Sequence, residues 1–310
     1  MGNGDINQAW DTFWERERRK GTKAARTDAG RGMPESWNRI ERQRERVWKD
    51  FARTLPKGAR ILDLGTGDGH VMAHLLRARR DLKLLGIDRA GALPDPPRGA
   101  KVRGGVMMED LPLPDGRFAA VTSQFAFEYG DLPSAAVEVA RVLKPGGMAA
   151  LMTHRLDGPI VAHNRKRRAQ IAWALEDQQL LKAARGSLGL RSAGIAALPR
   201  QVIEAPEKGA ALHGPASAAW EIAEAIRQTL HHGRQDSPAN VKAILTEIEA
   251  QAENELGRIA SLEAAATAAG DGAPIITAMA DAGLELVEDR QLLDGISAAP
   301  FADFRTFRKA

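Results

Sequence analysis

The residues best suited to chemistry lie in one short stretch, Ile61-Leu62-Asp63-Leu64-Gly65-Thr66-Gly67-Asp68-Gly69. An apolar strand runs into three glycines spaced two apart. Glycine lets a backbone turn sharply and approach a ligand where a Cβ would collide. A helical segment, 70–79, follows, then a second apolar strand, 82–87, that ends in Asp88. This order predicts a βαβ unit holding a nucleotide-type ligand at the carboxyl ends of its strands. Asp88 stands where a carboxylate accepts hydrogen bonds from both ribose hydroxyls. Asp63 lies inside the strand, where it either meets a cationic ligand group or caps the loop.

The elements that position this stretch flank it on both sides. Residues 1–20 read as a helix whose Trp10, Phe13 and Trp14 share a face. That face packs on the domain or closes over the ligand site. Residues 21–33 read as a loop, and 35–55 as a second helix ended by Pro56-Lys57-Gly58. Strands are expected at 60–64, 83–88, 101–107, 118–123 and 148–153. A helix at 132–143 ends at Lys144-Pro145-Gly146-Gly147. Alternation of strand and helix predicts a parallel sheet with helices on both faces.

Then the rhythm breaks. Helices are expected at 163–185 and 217–232, and from Ser237-Pro238 to Gly270, with Gly257 as a candidate bend. This stretch of about 110 residues is far too long for a connector. A helix at 274–283 and strands at 284–292 and 300–308 predict a closing antiparallel hairpin on the parallel sheet. The expected division is a helical extension, 1–57, a core made of 58–158 and 271–310, and a helical insertion, 159–270. The insertion is read as a lid or as a dimerisation element. The homodimer reading comes from the apolar stripe Val241 to Leu262 at near-heptad spacing.

Composition narrows the class. The 310 residues are 44% hydrophobic and 27% charged, as in a soluble globular protein. With no cysteine, disulfides, thiolate metal sites and cysteine nucleophiles are excluded. No apolar run is long enough to span a bilayer and the N-terminus is polar, so a cytoplasmic location is expected. Residues 1–60 hold 15 Lys/Arg against 9 Asp/Glu, within a chain of net charge +4. A basic segment of this kind, like the run Arg165-Lys166-Arg167-Arg168, can meet nucleic acid. The interleaved acidic residues favour solvated helix faces instead.

The glycine pattern departs from the dinucleotide fingerprint, which requires Gly or Ala where this chain has His70. With Asp63 it resembles motif I of the class I S-adenosylmethionine-dependent methyltransferases. Four further segments match that family in order. They are Gly86-Ile87-Asp88, the run from Met108 to Phe118, Val121-Thr122-Ser123-Gln124-Phe125, and Arg141-Val142-Leu143-Lys144-Pro145-Gly146-Gly147. Together they cover residues 58–155. The resemblance implies an α/β fold with a doubly wound, mostly parallel seven-stranded sheet of the Rossmann-like methyltransferase type. An N-terminal helical extension and a helical insertion after strand five would be added to it. It also implies S-adenosyl-L-methionine as cofactor. Asp63, Gly65, Thr66, Gly67, Asp68 and Gly69 would face its amino acid portion. Asp88 and Arg89 would lie at the ribose, Met108 and Glu109 at the adenine, and Gln124 and Phe125 at the substrate-facing end of strand four. Met107 stands where the family places an adenine-contacting Asp.

The expected reaction is methyl transfer to an oxygen or nitrogen of a small-molecule acceptor. Such an acceptor needs alignment and, in many cases, a base. His154, Tyr129 and Glu128, at the ends of strands four and five, are the catalytic candidates; no metal is expected. The Asn/Asp-Pro-Pro-aromatic motif of enzymes that methylate base amines or glutamine is absent, because Ser123-Gln124-Phe125-Ala126 stands in its place. The alternatives are a cofactor-binding regulatory or assembly protein without methyl transfer, and an RNA or protein methyltransferase.

Overall fold

The chain is described by a computed structural model over residues 9–19, 35–191, 198–295 and 299–310. The expected loop at 21–33 lies outside the described residues. Residues up to Ala162 together with Ser261–Ala310 form one compact unit, and His163–Ala260 form a second.

The first unit is built on a seven-stranded sheet. Its strands are β1 (Arg60–Leu64), β2 (Lys83–Ile87), β3 (Ala100–Arg103), β4 (Phe118–Gln124), β5 (Leu143–His154), β6 (Leu284–Leu292) and β7 (Ala302–Lys309). The order is β3-β2-β1-β4-β5-β7-β6. All pairs are parallel except those of β7, which is antiparallel to β5 and β6. This is the doubly wound, mostly parallel sheet expected from the sequence. Strand order reverses between β1 and β4, the point where such sheets open a crevice at their carboxyl ends.

Period-two alternation explains the two layers. Ile61, Leu84, Ala120, Ala150, Met152 and Phe304 share one core with Trp48 and Phe51 of α2 (Glu35–Thr54) and Val71, Met72 and Leu75 of α3 (His70–Ala78). Leu62, Leu64, Val121, Ala149, Leu151 and Phe307 face the other core. There they meet Ala135 and Val139 of α4 (Leu132–Val142) and Ile275 and Met279 of α10 (Ala273–Asp281). Trp48 is fully buried, so α2 is part of this core. Residues 9–19 form helix α1.

Two local readings change. The third strand is short, Ala100–Arg103, because Gly104 and Gly105 follow it. The Lys144–Gly147 turn lies inside β5 as an irregularity: pairing jumps from Phe118↔Leu143 to Ala120↔Met148. Gly146 takes φ 71° there.

The second unit is helical. Along the chain come α5 (Pro159–Ala172), α6 (Leu180–Arg191), α7 (Arg200–His213), α8 (Ala218–His232) and α9 (Pro238–Ala269). The helix expected over 163–185 is interrupted by a wide turn, Trp173–Asp177, and Gln179 takes φ 45° before α6 begins. Helix α7 is absent from the sequence reading; it carries Pro206 inside it, a residue that normally breaks a helix. Helix α9 continues through Gly257, and its end delivers Leu262 and Ala266 to the core of the first unit.

The stripe expected to drive dimerisation is consumed within the chain. Val241, Leu245, Ala252 and Ile259 are all buried, packed with residues such as Trp173, Ile226, Ile171 and Ala218. The basic run of α5 is not a free cationic face either. Arg167 Nε donates to Glu255 Oε1 at 2.6 Å, and its Nη2 reaches Glu221 at 3.2 Å. Charges on α2 pair in the same way, Lys49 with Glu45 and Arg53 with Asp50. No helix among the described residues is long and apolar enough to cross a membrane.

Candidate functional site

The glycine loop leaves β1 in left-handed backbone. Gly65, Gly67 and Gly69 have φ of 61°, 52° and 76°, a region that L side chains enter only with strain. At Gly65 a Cβ would also collide with Ala126, just beyond β4. The loop is tied to β2 by Thr66, whose N–H donates to Ile87 O at 2.9 Å. Gly86 leaves the space that the Thr66 side chain fills.

Asp63 is buried beneath this loop. Its Oδ2 accepts from Thr66 Oγ1 and its Oδ1 from Thr122 Oγ1, each at 2.7 Å. Both oxygens are thus engaged within the protein, and the side chain fastens β1, the loop and β4 together. Burial pushes its carboxyl up to about 7, against the two hydroxyl donors that favour the charged form. A carboxyl raised in this way is more easily protonated in the folded than in the unfolded chain. Stability from this group is therefore fullest below the ordinary value of 3.8 and declines as pH rises toward about 7. Asp63→Asn is expected to flatten that decline, which is on the order of 2–4 kcal/mol. Urea denaturation from mildly acid to neutral pH checks this; an unchanged slope in the variant would assign the pH dependence elsewhere.

Asp88 lies at the end of β2. Its Oδ2 accepts from Gly67 N and its Oδ1 from Ala90 N, both at 2.9 Å. It is 7% exposed, and burial raises its carboxyl above the ordinary range. Each oxygen keeps a further lone pair for a ligand hydroxyl. Arg89 beside it is half-buried, and Asp68 is exposed, its Oδ1 accepting from His70 N at 3.1 Å. Met108 is half-buried against Gly130 and Met107 is 45% exposed. Glu109 Oε1 accepts from Asp131 N at 2.9 Å, so this carboxylate braces the start of α4.

The ends of β4 and β5 carry the remaining candidates. Gln124 Oε1 accepts from Trp48 Nε1 at 2.8 Å. Phe125 adopts φ 56°, a left-handed conformation that a bulky residue holds only under constraint. Its ring stacks on His154 with centroids 4.2 Å apart. His154 donates to one oxygen of Glu128 twice, from its backbone N at 2.9 Å and from Nδ1 at 2.8 Å. A proton on Nδ1 leaves a lone pair on Nε2 of the neutral ring. Glu128 is 1% exposed and its Oε2 has no hydrogen-bond partner. Tyr129 lies edge-on to His154, centroids 6.0 Å apart, and at the same separation from Trp10.

Helix α1 borders this region. The Trp14 ring lies 2.5 Å from where a Gly67 Cβ would stand, and Asp11 Oδ1 accepts from Gly91 N at 3.2 Å. One site residue goes unread in the sequence. Arg44 of α2 sits 6.0 Å from the Phe125 ring centroid, within the field of Asp68. Burial lowers its guanidinium to about 10, and its Nε has no partner. In the sequence it is one of many charges on a charged helix. Only its place four residues before Trp48, on the inward side, separates it from the rest.

Residues 37–186 match a family model described as a methyltransferase domain. Among curated proteins, the chain is 30% identical over 118 residues to an uncharacterized methyltransferase of Bacillus subtilis, covering 36% of this chain and 65% of that protein. It is 32% identical over 132 residues to the 2-phytyl-1,4-naphtoquinone methyltransferase of Synechococcus elongatus, covering 37% of this chain and 56% of that protein. It is 37% identical over 105 residues to the malonyl-[acyl-carrier protein] O-methyltransferase of Methylococcus capsulatus, covering 32% and 38%. The chain thus spans less than two thirds of the length of these curated relatives. Among solved structures, it resembles a SAM dependent methyltransferase from Aquifex aeolicus with a TM-score of 0.31 at 23% identity, covering 37% of this chain and 65% of that one.

Proposed function

We propose, for a chain that belongs to the class I S-adenosylmethionine-dependent methyltransferase family, methyl transfer to an oxygen or nitrogen of a small-molecule acceptor at the ends of β4 and β5. The observation that carries this reading is the buried His154–Glu128 pair at the carboxyl ends of β4 and β5, in the same sheet whose β1 and β2 end in the glycine loop and Asp88. The activities of the quinone and acyl-carrier relatives support a metabolic acceptor.

The residues present fit the cofactor. Asp88 accepts from the loop backbone and retains acceptor capacity for ribose hydroxyls. Arg44, cationic and with Nε unpaired, suits the methionine carboxylate, a contact the sequence reading did not include. Asp63, 1% exposed beneath the loop, acts by holding Thr66 and Thr122 in place. S-adenosylmethionine, when bound, supplies a methyl carbon on an activated sulfonium leaving group. The chain then has to align the acceptor and take its proton. His154 Nε2 receives that proton, and Glu128 holds the ring tautomer and stabilises the resulting imidazolium.

Calorimetry with S-adenosylmethionine and a labelled-methyl assay against a metabolite extract test the reading. Asp88→Ala is expected to weaken cofactor binding by roughly 10- to 100-fold, the effect of one or two hydrogen bonds to a charged group. Unchanged affinity removes Asp88 from the site. Cofactor binding with no labelled product in any pool would favour a regulatory or assembly role instead.

A further inference from the structure

The face of α3 turned toward α2 carries a second ligand set, distinct from the His154–Glu128 pair. His70 and His74 are four residues apart on α3, so they share a face. Glu41 comes from α2 and meets them both. Its Oε1 lies 3.0 Å from His70 Nε2 and 3.2 Å from His74 Nε2, and the three ligand atoms lie within 4.8 Å of one another. Two tetrahedral ligand atoms on a common zinc ion are separated by ~3.3 Å, given bonds of about 2.0–2.1 Å.

Two observations point to a cation at this place. First, His74 is 1% exposed, yet its Nε2, aimed at the cluster, makes no hydrogen bond. A buried ring nitrogen of this kind is costly to leave without a partner. Second, His70 is held between two carboxylates, Asp68 Oδ2 at 3.2 Å from Nδ1 and Glu41 Oε1 at 3.0 Å from Nε2. These contacts turn Nε2 toward Glu41 and Nδ1 toward Asp68. With a metal on Nε2, the Nδ1 proton goes to Asp68, the carboxylate–histidine–metal arrangement that fixes ring orientation.

We propose that Glu41, His70 and His74 bind one divalent cation of the zinc class, with water in the fourth position. Two imidazoles and a carboxylate suit zinc rather than magnesium or calcium, which take oxygen ligands. Glu41 presents Oε1 to the ion while its other oxygen is held by Arg44. His74 Nδ1 faces Arg77 Nη1 at 3.2 Å, so the ring proton moves to Nδ1 on binding and Arg77 turns to Glu45, 3.3 Å away. The ion pins α2 to α3 and thereby fixes Arg44 and Asp68.

The test uses the full-length, tag-free chain, stripped with chelator and titrated with zinc chloride. The expected result is one zinc per chain, a raised melting temperature, and tetrahedral visible bands on cobalt substitution. His70→Ala and Glu41→Gln, both at partly exposed positions, are expected to weaken binding at least tenfold. Asp68→Asn should lower affinity by roughly 10- to 100-fold, as loss of a group orienting a metal ligand does. A double His231→Ala, His232→Ala variant, which removes the adjacent pair on α8, should bind as the parent does. Zinc binding that survives His70→Ala, or that disappears in the His231/His232 variant, would overturn the proposal, as would no binding by the parent.

Discussion

Gly65→Val is expected to weaken binding of S-adenosylmethionine severely. Two independent strains meet at this residue. Its φ of 61° costs an L side chain roughly 1–2 kcal/mol. The new Cβ also runs into Ala126, and overpacking of that kind costs about 1–3 kcal/mol. Relief requires the loop to leave β4, which moves Gly67 N away from Asp88 and Thr66 away from Asp63. A combined penalty of ~2–5 kcal/mol corresponds to roughly 30-fold to several-thousand-fold in affinity. Gly116→Ala separates the two strains, because its φ is 55° but nothing lies within 4 Å of an added Cβ. That variant should lose a little melting temperature and bind cofactor normally. Parent-like affinity in Gly65→Val would show that the loop does not hold the cofactor.

Glu128→Ala should lower the methyl-transfer rate by about 10²- to 10⁴-fold, the span typical of lost general-base function, with cofactor affinity little changed. The carboxylate is buried and receives both His154 N–H groups, so its removal strands two donors. Stranded buried donors cost about 1–3 kcal/mol, so a lower melting temperature is expected as well. Glu128→Gln keeps an acceptor oxygen for both donors but loses the charge that supports an imidazolium. It should fold like the parent and remain slow. This pair of variants distinguishes chemistry from packing: a fast Gln variant beside a slow Ala variant would assign Glu128 a purely structural role. Parent-like rates in both would take the His154–Glu128 pair out of the reaction.

The half of the candidate site proposed for the cofactor is legible in the chain because it is local. Asp63 through Gly69 and Asp88 belong to one βαβ unit, and glycines needing positive φ announce themselves by type. The half proposed for the acceptor is less legible because it is assembled by sheet register. Glu128 and His154 are far apart in the chain, and only the parallel pairing of β4 with β5, which sets Gln124 beside Met152, brings them together. Read singly, Glu128 is an ordinary surface glutamate. Met108 and Glu109 are singled out by position in a motif, but position does not reveal that Glu109 braces α4. Arg44 and Glu41 are hidden among alternating charges on α2, where burial of one turn decides which cation matters. In the second unit the errors are of another kind. The wide turn at Trp173–Asp177 keeps helical hydrophobic spacing, so periodicity runs through it, while Pro206 and Gly209 suppress a helix that buried neighbours nevertheless form. The apolar stripe of α9 looks like an interface until its partners Trp173, Ile226 and Ala218 are placed.

Phe125 invites a different kind of experiment. An aromatic residue kept in left-handed backbone works against the thermal robustness of its own protein. A selection for heat tolerance alone would favour Gly or Asn at this position, which adopt that backbone readily, and would discard the ring that lies over His154. The substitutions that recover from such a selection would therefore map where endurance and turnover compete in this chain.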